Sequence, residues 1–135
     1  MRKINKIIIH CSATPEGRDV SSETIDEWHK ARGWSGIGYH YVVGLNGKIE
    51  YGRDIQKTGA HVKGHNKGSI GICYIGGCDS DMNAKDTRTP EQKESLLLLI
   101  KTLKKMHLGA EVFGHRDFST KECPSFDAKN EYCNA

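Results

Sequence analysis

Two histidines and one cysteine have the residue types and positions to bind a metal ion. His10 follows the apolar run Ile7–Ile9, His115 follows a second apolar stretch, and Cys123 stands before Pro124. Zinc in hydrolases takes three protein ligands from His, Cys, Asp or Glu and leaves a fourth position for water. The metal lowers the pKa of that water to about 7, which makes hydroxide available at neutral pH. These three residues are therefore candidate zinc ligands.

The spacing of the last two candidates requires the chain to fold back. His115 and Cys123 are eight positions apart, a distance of roughly 26 Å in an extended chain. Ser119, Thr120 and Pro124 between and beside them are residues that permit a turn. From the residues alone, the alternative stays open that His115 caps a strand and Cys123 is a small buried thiol.

Apolar patterning predicts the elements that position these residues. Strands are expected at 4–10, 69–77 and 110–115, and a hairpin at 39–54 in which Asn46-Gly47 supplies the positive φ angles of a tight turn. The three consecutive isoleucines of the first strand indicate burial on both faces. His10 and His115 fall at strand ends, where the loops of an α/β sheet converge and sites gather.

Two helices complete the expected architecture. One spans 21–33, with Ser21 or Ser22 as its N-cap, and one spans 89–109, with Thr89, Pro90 and Gln92 forming a capping box with proline at the first helical position. We expect a mixed α/β fold in which helices flank one central mixed β-sheet. Trp28 and Trp34, near the end of the first helix, are expected to pack in the core.

Composition is that of an ordinary globular chain. The 135 residues are 36% hydrophobic and 27% charged, with a formal net charge of +3, so we expect a single domain over 1–135. That charge is too small and too evenly spread to indicate nucleic-acid binding, although it suits an anionic polymer.

The cysteine count and the length of the apolar segments indicate where the protein is expected to be made and whether it enters a membrane. The five cysteines are an odd number, so we expect reduced thiols and no disulfide framework. Ile7–Ile9 is shorter than the roughly 7–15 apolar residues of a secretory signal. The apolar block Leu96–Ile100 is shorter than the roughly 20 residues that span a bilayer. We expect cytoplasmic synthesis without a signal peptide, and no membrane insertion.

Several short motifs occur in one order along nearly the whole chain. They are IIIHCSAT, WHKARGW, GYHYVV, GRD, GAHVKGHN, SIGICYIGG, GHRDF and KECPSFD, between about residues 7 and 127. In this combination the sequence resembles the zinc-dependent N-acetylmuramoyl-L-alanine amidases of small bacteriophage lysozymes, which are relatives of the peptidoglycan recognition proteins.

The resemblance implies a site and a reaction. One Zn²⁺ would be held by His10, His115 and Cys123, and Tyr39 and Lys121 would be catalytic. The reaction would be hydrolysis of the amide that joins the lactyl group of N-acetylmuramic acid to the L-alanine of the stem peptide. Either the Lys121 ammonium or the Tyr39 hydroxyl could stabilise the tetrahedral oxyanion or assist the leaving amine.

The same resemblance suggests weaker assignments. His61 is expected near the substrate groove, and Asn66 is a second candidate for substrate contact that is better suited to fixing its loop. Some branches of the fold carry a glutamate general base where this chain has Cys73. The group that takes the proton from water is therefore left open.

Two other functions remain open at this point. A non-catalytic peptidoglycan-binding relative would keep the groove and lose the chemistry, although such relatives commonly lack the cysteine ligand. A structural zinc site would need a fourth protein ligand, and no residue stands out for it. The partner implied by the enzyme reading is peptidoglycan. We expect a monomer that acts on the cell wall after its release from the cell.

Overall fold

Seven strands and three helices make up the part of the chain that the structure describes. The structure is a computed structural model and describes residues 2–135. The strands are β1 (Lys6–Cys11), β2 (Thr14–Pro15), β3 (Tyr41–Val43), β4 (Ile49–Tyr51), β5 (Ser69–Tyr74), β6 (Gly77–Cys78) and β7 (Glu111–Gly114). The helices are α1 (Ser22–Ala31), α2 (Pro90–Met106) and α3 (Ala128–Glu131).

Five of the strands form a mixed central sheet in the order β4-β3-β5-β1-β7. β1 pairs in parallel with both β5 and β7, β3 pairs in parallel with β5, and β4 runs antiparallel at the edge. The side chains of Ile7, Ile8 and Ile9 are fully buried, as expected for an inner strand covered on both faces. The predicted mixed α/β fold is confirmed.

Helices cover the two faces of this sheet. Ile7, Ile9 and Cys11 belong to the core cluster that includes the buried side of α2, and a second cluster joins Ile25 of α1 to Val42, Cys73 and Ile75. Successive side chains of a strand point to opposite faces. His10 therefore lies on the face of the sheet opposite α2.

Local sequence signals begin both long helices where they were expected. Ser21 caps α1 by accepting a hydrogen bond from the Thr24 backbone N–H. Thr89 and Gln92 form the capping box of α2, with Pro90 at its first position. α2 ends at Met106, before the predicted boundary at Gly109, and the chain reverses through the positive φ of that glycine.

Several strand boundaries and one turn also differ from the prediction. β1 spans Lys6–Cys11 where 4–10 was expected, and β5 ends at Tyr74 where residue 77 was expected. Only Gly47 of the Asn46-Gly47 pair has positive φ, because the hairpin closes through a longer loop in which the Asn46 side chain accepts from the Lys48 N–H. β7 ends at Gly114, and His115 begins a short 3-10 turn. The small β2-β6 sheet and α3 were not predicted, because elements of two to four residues carry no readable periodicity.

Candidate metal centre and active-site cleft

His10, His115 and Cys123 converge on one point. Each offers one ligand atom, and these atoms lie within 4.8 Å of one another. The Nδ1 atom of His10 is 3.9 Å from the Sγ atom of Cys123. Among residues 2–135 no fourth His, Cys, Asp or Glu belongs to this group. The cluster can hold a metal ion and leaves a coordination position free.

The parallel sheet brings the two histidines together. β1 and β7 are neighbours in parallel register, with Ile9 opposite Gly114, so His10 and the residue after β7 emerge at the same edge. Their ring centroids are 4.7 Å apart. The order of these strands in the sheet could not be read from the sequence, whereas the positions of the two histidines near strand ends could.

The loop after β7 folds Cys123 back onto this edge. The Arg116 N–H donates to the Cys123 carbonyl at 2.7 Å, and the Tyr74 hydroxyl donates to the Pro124 carbonyl at 2.6 Å. The Cys11 N–H donates to the Cys123 Sγ at 3.2 Å, while the neighbouring Cys11 thiol and burial together raise the pKa of the Cys123 thiol. The turn expected between His115 and Cys123 is therefore present.

Both candidate histidine ligands are held in the neutral form. Burial, with the His61 and His115 imidazoles and the Lys121 ammonium nearby, lowers the pKa of His10 well below its usual value. Burial and Lys121 also lower the pKa of His115. A metal ligand must present an unprotonated nitrogen, so the site is prepared for coordination at neutral pH.

The donor set fits zinc. Two imidazoles and one thiolate are a zinc-type ligand set, and tetrahedral zinc with ordinary bond lengths places its nitrogen and sulfur ligands about 3.6 Å apart. The observed separation of His10 Nδ1 and Cys123 Sγ is 3.9 Å. A shift of a few tenths of an ångström would complete the coordination distance.

Tyr39 lies beside the cluster. Its ring centroid is 4.9 Å from that of His10. Burial, with contributions from neighbouring thiols, raises the pKa of the Tyr39 phenol well above its usual value. The phenol therefore stays protonated and can act as a hydrogen-bond donor.

Lys121 and Trp34 belong to the cleft that opens onto the cluster. This cleft has a volume of about 530 Å³, and its walls include Trp34, His61, Val62, His115, Phe118 and Lys121. Lys121 is exposed there and supplies a positive charge next to His115. Trp34 is 40% exposed, so its expected place in the core was wrong. Trp28 is half-buried and packs against the α1-side cluster, as expected.

His61 and Asn66 line the same cleft with their polar atoms engaged. The His61 Nδ1 atom is 2.8 Å from His10 Nε2. The Asn66 side-chain oxygen accepts from the N–H groups of His61 and Val62 at 2.8 Å each. Burial and, next, the nearby His40 lower the pKa of His61 to about 3. Asn66 thus fixes its loop, and His61 contacts a candidate metal ligand directly.

The remaining cysteines lie outside the candidate ligand set. Cys73 is fully buried, and burial raises the pKa of its thiol well above the usual value, so it cannot replace a glutamate as general base. Cys11 is buried in the core cluster. All five cysteines are free thiols.

The fold and this site together suit the class of metal-dependent hydrolases, and comparison with known proteins narrows the class. The N-acetylmuramoyl-L-alanine amidase family, Amidase_2, matches residues 1–126. The endolysin of Klebsiella phage KP32 is 41% identical over 128 residues, which cover 95% of this chain and 85% of that protein.

Solved structures of amidases and of peptidoglycan recognition proteins have the same fold as this chain. The N-acetylmuramoyl-L-alanine amidase LysC from Clostridium intestinale URNW superposes with a TM-score of 0.83 at 31% identity, covering 98% of this chain and 83% of that one. A complex of peptidoglycan recognition proteins LCa and LCx with tracheal cytotoxin matches with a TM-score of 0.80 at 28% identity, covering 99% and 83%.

The chain belongs to the N-acetylmuramoyl-L-alanine amidase family. This confirms the resemblance found in the sequence and its reaction class, the hydrolysis of the amide between N-acetylmuramic acid and L-alanine in peptidoglycan. No helix within residues 2–135 has the length and apolar character that crossing a membrane requires.

Proposed function

We propose that this chain is a zinc-dependent peptidoglycan amidase in which His10, His115 and Cys123 hold one Zn²⁺. The observation that carries the proposal is the convergence of their three ligand atoms within 4.8 Å, at the wall of an open cleft. When bound there, zinc supplies Lewis acidity toward the scissile carbonyl and lowers the pKa of water to about 7.

The chain's own residues divide the remaining work. The Tyr39 hydroxyl, kept protonated by burial, donates a hydrogen bond to the oxygen of the carbonyl as negative charge develops on it. The exposed Lys121 ammonium at the cleft wall stabilises the same charge, or donates a proton to the leaving amine of L-alanine.

The cleft is proposed to bind the muramyl peptide. Lys63 and Lys121 place positive charge at its walls, which suits the carboxylates of a stem peptide. His61 and Asn66 would contact the substrate through the surfaces they present to the cleft, since Asn66 Oδ1 and His61 Nδ1 have internal partners. Tyr39, Lys121 and Cys123 are all present, which favours hydrolysis over non-catalytic binding.

Two single cysteine substitutions test the assignment of Cys123 as a zinc ligand. Cys123→Ser should lose zinc and amide hydrolysis together, because a hydroxyl is a poor zinc ligand beside a thiolate. Cys133→Ser is the matched control, since Cys133 is exposed and outside the cluster. Zinc content and release of stem peptide from muropeptides would be measured on both proteins. Full activity in Cys123→Ser would break the assignment.

We infer that the chain works as a monomeric single domain over 1–135 and acts on the cell wall. Its relatives include phage endolysins, and the three proposed metal ligands converge at one site. Sedimentation equilibrium of the zinc-loaded protein tests the monomer, and a dimeric mass would contradict it.

A further inference from the structure

The ring of His61 is clamped in a narrow slot next to His10. A Cβ added at Gly71 would lie 2.7 Å from His61 Cγ, and one added at Gly59 would lie 2.6 Å from His61 Cδ2. Side chains at those two positions would expel the ring. The backbone on both sides therefore leaves room for an imidazole in one orientation.

A continuous set of hydrogen bonds runs from His10 through this ring to the backbone. His10 Nε2 is 2.8 Å from His61 Nδ1, and His61 Nε2 is 3.2 Å from Ser69 Oγ. The Ser69 hydroxyl donates to the Asn66 carbonyl at 3.0 Å. His10 and Ser69 are fully buried, and His61 is only 9% exposed.

The proton positions along this set of hydrogen bonds follow from one requirement. A metal ligand at His10 Nδ1, the nitrogen that faces Cys123, must present a lone pair, so the proton of a neutral His10 sits on Nε2. Nε2–H then donates to His61 Nδ1, which leaves the His61 proton on Nε2. That N–H donates to Ser69, whose own hydroxyl donates onward. Each N–H or O–H group therefore donates to the next residue, in the direction from His10 to the Asn66 carbonyl.

We propose that His61 is a positioning residue for the metal, which fixes the tautomer and the ring orientation of His10 through the relay His10–His61–Ser69–Asn66. The proposal rests on the zinc site proposed above. It assigns to His61 a role in addition to the proposed substrate contact, because its Nδ1 atom is paired with His10. Partners that orient a ligating histidine commonly change metal affinity about 10–100-fold when they are removed.

Two amide substitutions separate this role from simple space filling. In His61→Asn the side-chain oxygen takes the place of Nδ1, so the acceptor for His10 is retained. In His61→Gln the amide takes the place of Nε2, so the contact with Ser69 is retained and the acceptor for His10 is lost. Both variants are polar, and each keeps one of the two hydrogen bonds.

The measurement is zinc affinity by competition with a chromophoric chelator, with the absorption spectrum of the Co²⁺-substituted protein as a second readout. We expect His61→Gln to weaken zinc binding about 10–100-fold and to change the Co²⁺ spectrum. His61→Asn should keep most of the wild-type affinity. Equal losses in the two variants, or no loss in either, would overturn the relay.

Gly71→Ala tests the same relay without altering any polar group. The new methyl group displaces the His61 ring, so zinc affinity should fall as in His61→Gln while urea unfolding confirms that the protein is folded. Unchanged affinity in folded Gly71→Ala would contradict the role of the slot. Failure of the wild-type protein to bind zinc would instead refute the proposed metal site, so the two failures are distinguishable.

Discussion

Arg88 is a buried cation, and its replacement should lower the free energy of unfolding less than replacement of its two carboxylate partners. Its side chain is 2% exposed, whereas those of its partners Asp86 and Glu131 are 35% and 43% exposed. Nη2 of Arg88 is 2.9 Å from Asp86 and Nη1 is 2.6 Å from Glu131. The guanidinium also lies 3.4 Å above the Phe126 ring. These contacts hold α3 against the segment that precedes α2.

The asymmetry of burial sets the size of each effect. The double variant Asp86→Asn/Glu131→Gln leaves a buried cation without counter-charge, which should lower the free energy of unfolding by about 3–5 kcal/mol. Arg88→Met fills a similar volume and leaves two carboxylates that water can reach. Exchange of a buried ion pair for apolar packing is often nearly neutral, so we expect a loss of at most about 2 kcal/mol.

Urea unfolding at pH 7, followed by circular dichroism, compares the three proteins. The single variant Glu131→Gln should have a free energy of unfolding between those of the wild-type protein and the double variant, because Asp86 still pairs with the buried guanidinium. If Arg88→Met is destabilised as much as the double variant, the reasoning from buried charge is refuted. Zinc affinity should survive in Arg88→Met, because the network lies outside the ligand cluster.

Three other substitutions test separate parts of the structure. Lys121→Ala should keep its zinc and lose about 100–1,000-fold in turnover, as measured by metal content and kcat on muropeptides. In urea titrations the free energy of unfolding of Gly77→Ala should be about 1–3 kcal/mol lower than that of Gly64→Ala. Both glycines have positive φ, but only a Cβ at Gly77 meets an obstacle, the Cys11 Sγ. Burial and nearby arginines lower the pKa of His29 to about 4. The unfolded chain therefore binds more protons between pH 6.5 and 4, and stability should fall as pH falls through that range, by up to about 3 kcal/mol for this residue. His29→Asn, which keeps an acceptor for the Gly38 N–H, should flatten that dependence in urea titrations.

Each of these outcomes has a clear contrary. Loss of zinc from Lys121→Ala would make the lysine a structural part of the site. Equal stability of the two alanine variants would remove the steric argument at Gly77. An unchanged pH profile in His29→Asn would show that another group is responsible for the loss of stability in acid.

Local signals in the sequence predicted what local chemistry determines. The capping box at Thr89 and the buried isoleucines of β1 were read correctly, because caps and apolar runs act over a few residues. Residue type and the predicted strand ends made His10 and His115 candidates, and the resemblance of the surrounding motifs to a known family supplied the full set with Cys123. The convergence of His10 and His115 needed the strand order, which depends on pairing between distant segments.

Features that depend on tertiary contacts were missed. Trp28 lies in α1 and Trp34 follows it, and in the sequence both look equally suited to the core. Trp34 nevertheless lies in the wall of the cleft. The contact between His61 and His10 joins residues 51 positions apart. Of the two glycines that clamp His61, only Gly71 gave a signal, because a glycine inside a strand indicates a close approach to its backbone. Its neighbour His61 is visible only in the fold.

The central claim is that this chain cleaves the muramoyl–alanine amide with one metal ion at His10, His115 and Cys123. Mass spectrometry of purified muropeptides, incubated with zinc-loaded protein, with chelator-stripped protein and with stripped protein given zinc again, tests it most directly. We expect stem peptide with a free L-alanine amino terminus in the first and third samples and intact muropeptide in the second. Intact muropeptide in all three, from protein shown to hold zinc, would contradict it.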